Sequence, residues 1–198
     1  MYIWKDFIPL LIPRKTFVKT YLLERLKKMF CLILLLLSNV NIHAQSPDEH
    51  QVKAAFIFNF TRFVTWPSTA FETPTSPFII GVLGNNVGSY LEELIENEKV
   101  NNHPIQVRYL KDSKGAAGCH ILFIEKFNSS VIVKIIGEVK GKPVLTISDA
   151  KDFMEESGMI KLYSENNKMR LEISQKKIEE SQLQISARLL SLATLYKK

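Results

Sequence analysis

Cysteine is almost missing from this chain. Its 198 residues hold two, Cys31 and Cys119. Cys31 falls in an N-terminal leader and is badly placed for lipoprotein attachment. Cys119 is therefore the one thiol of the mature chain, and an internal disulfide is excluded. It follows Gly118 and opens the apolar run CHILFI, residues 119–124, as a small buried hydrophobe would; a redox or intermolecular role is the rival reading. Catalytic signatures are missing too. There is no nucleophile elbow, no phosphate-loop lysine motif and no HExxH. Nothing in the pattern announces an enzyme, a cofactor or a metal.

A long hydrophobic run is also lacking. The apolar stretch 29–37 is shorter than the roughly 20 residues a membrane span needs. With Lys27 and Lys28 before it, and Ile42 and Ala44 before a cut at Gln45, it has the build of a cleavable secretory signal. An uncleaved anchor is the alternative. Residues 1–25 make an overlong n-region, and Met29 offers a second start. The expected division is 1–44 as extension and signal and 45–198 as one exported domain. The leader holds seven of the 26 basic and two of the 20 acidic residues, so the mature net charge is only about +1. Excess charge is thus absent, and nucleic acid is not an expected partner.

Aromatic residues, in contrast, are concentrated. VKAAFIFNFTRFVTWP, residues 52–67, has four phenylalanines and a tryptophan, no acid, and only Lys53 and Arg62 as bases. The spacing predicts a helix over 47–65, capped by Ser46 and stopped by Trp66-Pro67. Val52, Phe56, Phe60, Phe63 and Val64 form its stripe, and Ala55, Ile57 and Phe58 extend apolar character almost around it.

Further on, strands alternate with helices. Strands are expected at 77–84, 104–110, 119–124 and 143–148. Helices are expected at 89–98, 129–138 and near 149–155. Two strands flank the polar turn Glu165-Asn166-Asn167, and a helix is expected over 175–196. Continuous buried strands between helices predict a three-layer α/β/α sandwich with a mostly parallel sheet and a C-terminal antiparallel hairpin.

Ligand chemistry has few candidates. His50, His103 and His120 lack partners at metal-ligand spacing, and neighbours such as Cys119-His120 point to opposite faces of a strand. They read as structural histidines. The glycines of IIGVLGNNVGSYLEELI open a strand-to-helix turn whose amides could hold an anion, although the spacing is not that of a dinucleotide site. Gly84 and Asn85, with Ser148 and Asp149 at the end of another strand, would lie at the carboxyl edge of a parallel sheet. Small molecules bind there in open α/β folds, so these four are candidate ligand contacts.

Three stretches together resemble the YfiR/HmsC-like family (DUF4154): KAAFIFNFTRFVTWP, GCHILFI, and the C-terminal pattern over 144–193. The pattern residues are Phe56, Asn59, Phe60, Phe63, Pro67, Cys119, Phe153, Gly158 and Leu189, all with structural roles expected. The resemblance implies a periplasmic domain, often dimeric, that regulates without catalysis. In that family the namesake restrains an inner-membrane diguanylate cyclase, an outer-membrane lipoprotein relieves the restraint, and cyclic di-GMP and biofilm formation follow. Relatives occur as sensor domains of histidine kinases. The namesake carries disulfides; Cys119 stands at a matching position without a partner, so redox control does not transfer.

On this reading Phe56, Phe60 and Phe63 are core. Phe58, Arg62 and Trp66 are candidates for a dimer or partner surface, because aromatic residues in excess of one buried face serve as anchors. Asn59 and Arg62, three apart, fix the helix by a polar bond or cap. A small-molecule binding protein is the competing function.

Overall fold

The computed structural model describes residues 23–30, 32, 48–125 and 127–197. The chain divides into two compact units, Met1–Ser46 and Pro47–Lys198. In the first, the described residues are helical. Most of the apolar run, the cut at Ala44, and the expected cap and first-turn residues Ser46 and Pro47 lie outside the described residues. Among the described residues no helix is long and apolar enough to cross a membrane.

The second unit opens with α1 (Glu49–Phe63). Its cap is Asp48, whose carboxylate accepts from the amide of His50 at 3.2 Å. Val64 is extended and ends the helix in β1 (Val64–Thr65), just before Trp66-Pro67. There follow β2 (Phe78–Leu83), α2 (Gly88–Leu94), β3 (Lys99–Val100), β4 (His103–Leu110), β5 (Ile121–Ile124), α3 (Ser129–Val139) and β6 (Leu145–Ser148). The chain closes with β7 (Ile160–Glu165), β8 (Lys168–Ile173), α4 (Gln175–Glu180), β9 (Gln184–Ile185), α5 (Ala187–Leu190) and β10 (Thr194–Leu195).

Eight strands make one sheet, ordered β10-β8-β7-β6-β5-β2-β4-β3. The β4, β2, β5, β6 and β7 neighbours are parallel, and β7/β8 is the antiparallel hairpin expected from the sequence. Its turn residues Asn166 and Asn167 both have positive φ, 51° and 58°, as a tight hairpin requires. The same device at Asn101-Asn102 turns β3 back on β4, a short hairpin the sequence reading missed.

Two cores show the three layers. Phe78, Ile80 and Val82 of β2 pack in one with Ile57 and Phe60 of α1, Leu91 of α2, and Ile178 and Leu189. Ile79 and Leu83 pack in the other with Ile132, Ile135 and Val139 of α3, and Phe153. Alternate residues of β5 divide the same way, Ile121 and Phe123 against Leu122 and Ile124. The sheet is therefore covered on both faces, which is why its strands are continuously apolar. Each fully buried phenylalanine stabilises the fold by about 1.5–3 kcal/mol.

Two expected helices differ. Residues 151–157 form hydrogen-bonded turns, because the chain must return to start β7 beside β6. The expected helix over 175–196 is broken. Gln182 adopts φ 60°, and Ile185 then pairs with Val64 in a separate two-stranded sheet, β1-β9. Thr194 and Leu195 complete the sheet edge beside β8. Tertiary pairing outweighs helical periodicity here.

Candidate functional site

The residues expected at a partner surface are mostly inside. Phe58 is 8% exposed and Trp66 7%, so both belong to the core; this corrects the sequence reading. The aromatics that α1 leaves partly uncovered are Phe56 and Phe63 instead. Trp66 donates its indole N–H to the carbonyl of His120 at 3.0 Å and meets Phe78 edge-on at 4.8 Å. An amphipathic ring with its polar end satisfied needs no partner. Arg62 alone of the three is exposed. Its guanidinium lies over the Phe58 ring at 5.1 Å and 4.0 Å from Glu98. Asn59 donates to the carbonyl of Ala55 at 2.8 Å, a bond inside the helix.

His120 is held from all sides. Nδ1 accepts from the amide of Ile79 at 3.0 Å, and Nε2–H donates to the carbonyl of Ala70 at 3.1 Å. The ring stacks on Phe71 and Phe78, at 4.6 and 4.7 Å. Burial holds its pKa down at about 4, so the ring is neutral. Cys119 is free and buried, and burial pushes its thiol up to about 11.

The four candidate ligand contacts do lie at the carboxyl ends of β2 and β6. Between β2 and β5 the chain order reverses: β2 leads to β4 on one side, and β5 sits on the other. A crevice outside such a reversal is the usual ligand position in open α/β sheets. Here β2 and β5 end in a linked pair of loops. Glu125 follows β5 and accepts from the amide of Asn85 at 2.9 Å and from the side-chain amide of Asn86 at 2.5 Å. Gly84 has φ 142°, and a Cβ on it would collide with the Glu125 side chain. The amide at Asn85 that could have held an anion is thus filled by the protein's own carboxylate. Ser148 is fully buried, and its Oγ accepts from the amide of Ala150 at 3.0 Å. Gly84, Asn85 and Ser148 therefore shape turns.

Asp149 is different. Its Oδ2 lies 2.6 Å from Nζ of Lys53, which lies 2.6 Å from Glu49 Oε1 as well. Lys53 is 2% exposed, the most unusual residue in the core. Burial works against its charge, but the hydrogen bonds and charges of Asp149 and Glu49 outweigh that and hold its pKa above the ordinary 10.5. The other oxygen, Asp149 Oδ1, is buried without a hydrogen-bond partner, as is Nδ1 of His50. Both residues line one cleft of about 380 Å³, together with Asn86, Glu125 and Phe127. Sequence reading picked out Asp149 and missed Lys53, Glu125 and the unsatisfied His50. The available signal was a lone lysine in an otherwise apolar, aromatic helix.

No three of the described His, Cys, Asp or Glu side chains stand together as metal ligands. No curated protein matches the chain. The family model YfiR/HmsC-like (DUF4154) matches residues 50–194, from the first turn of α1 through to β10, and the chain belongs to that family.

Proposed function

We propose that this protein is a non-catalytic periplasmic regulator that binds the periplasmic part of a membrane signalling protein, a diguanylate cyclase or a histidine kinase, and represses its output. The observation that carries this reading is membership of the YfiR/HmsC-like family across the whole folded unit. In the described unit the family match spans both core layers, from α1 to the sheet edge at β10. The surface left for a partner includes Arg62 and the exposed Leu192 and Leu195 near the C-terminus. A homodimer and an outer-membrane lipoprotein that releases the regulator complete the proposal.

Crosslinking of the tagged protein in its own cells, with mass spectrometry of what co-purifies, tests it. A membrane cyclase or kinase is the expected catch. Capture of no such protein, with unchanged second-messenger levels on deletion, would sink the reading. A small-molecule binding protein is the second reading, supported by the cleft beside Asp149.

A further inference from the structure

The cleft at the carboxyl ends of β2, β5 and β6 has a definite chemistry. Three carboxylates, Glu49, Glu125 and Asp149, face it with one ammonium, Lys53. That ammonium is already shared between Glu49 and Asp149 at 2.6 Å each. Among the described lining residues, carboxylates thus outnumber the ammonium three to one. Lys53 is the one ammonium among them, and its two carboxylate partners leave it little to offer an anionic ligand.

A second, independent observation points to an occupant. The Asp149 side chain is 6% exposed, yet Oδ1 has no donor. Buried carboxylate oxygens are almost always satisfied, because leaving one bare forfeits its hydration. His50 Nδ1, on the same cleft, is the second polar atom without a partner. Phe127 lines the cleft beside them, and the residue is 41% exposed, so its ring can offer a face to a cation. No three of the described carboxylates and histidines converge as metal ligands, a spread that suits an organic cation better than a metal ion.

We propose that this cleft binds a small organic cation with an amine or guanidinium head, whose N–H groups donate to Asp149 Oδ1 and whose charge lies against Phe127. The volume, about 380 Å³, lies within the range of small-molecule sites. The proposal does not rest on the regulator reading: it concerns a ligand, and the crosslinking result leaves it untouched.

The test is titration of the full chain with agmatine, followed by thermal melting and by amide chemical shifts. Uncharged butanediol and anionic succinate are the controls. Agmatine at millimolar concentration is expected to raise the melting temperature and to shift the amides of His50, Lys53, Asn86, Glu125 and Asp149; the controls are expected to do neither. Phe127→Ala, at a half-exposed ring, keeps the fold and should weaken binding several-fold. Asp149→Asn should abolish it. A flat response to agmatine means that a water molecule alone satisfies Asp149, and overturns the proposal. So does an equal response to butanediol, a shift pattern elsewhere on the protein, or undiminished binding by Phe127→Ala.

Discussion

The ring of Phe153 lies directly over the Cα of Gly158, so close that a single methyl at position 158 would overlap three ring carbons. Phe153 is fully buried under the sheet, and the amide of Gly158 donates back to its carbonyl at 2.9 Å. These two residues fix the turn that brings the chain from β6 to β7.

Gly158→Ala is therefore expected to destabilise by about 1–3 kcal/mol through overpacking. Phe153→Leu should cost less in the Gly158→Ala background than in the wild type, because the smaller side chain relieves the overlap. Urea denaturation of the four proteins measures the coupling. Simple additivity would show that the ring moves away freely.

Lys53→Met should cost roughly 3–5 kcal/mol, since it strands the buried Asp149 charge. Lys53→Met with Asp149→Leu should recover most of that loss, because a pair removed together leaves no bare charge. Chemical denaturation compares the single and double variants. A single variant as stable as wild type would show that the pair is solvated in solution.

Stability should depend on pH through His120. Its folded pKa is depressed to about 4 from the ordinary 6.5, chiefly by burial. The unfolded chain then binds a proton that the folded chain refuses. Stability is full above pH 6.5 and falls as pH drops toward 4, at up to roughly 1.4 kcal/mol per pH unit. His120→Gln should lose this part of the slope. Denaturation midpoints from pH 7.5 to 4 decide it, and identical slopes in the two proteins would exclude His120 as the source.

Cys119 should resist thiol reagents in the native state. Burial raises its pKa to about 11, so only about one molecule in a thousand is thiolate at pH 8. Maleimide labelling at pH 8 is expected to be slow for the native protein and fast in denaturant. Rapid native labelling would place the thiol at the surface.

Much of the fold was legible because the strands follow a strong rule. FIIGVL and ILFI carry no polar side chain, and only a sheet covered on both sides hides every residue of such a run. The face of α1 was not legible. A helix apolar almost all round gives no phase, so Phe58 and Phe56 exchanged their expected places. Lys53 escaped notice because its partner Asp149 is 96 residues away. Its burial depends on that distant carboxylate, which local pattern cannot supply. The C-terminal helix was over-read for the same reason: residue 185 has its strand partner at the start of the domain.

That last pairing governs when the protein can finish folding. Val64 is joined to Ile185, and the amide of Ser186 donates to the carbonyl of Phe63 at 2.9 Å. The C-terminal end of α1 thus waits for residues made about 120 positions later in the chain. A chain emerging N-terminus first cannot clasp its opening helix until almost everything else has appeared, and such distant closure slows folding. The aromatic helix is the first part of the domain to be born and its far end among the last to be secured, so a ribosome that stalls before residue 185 would leave that end open to chaperones and proteases.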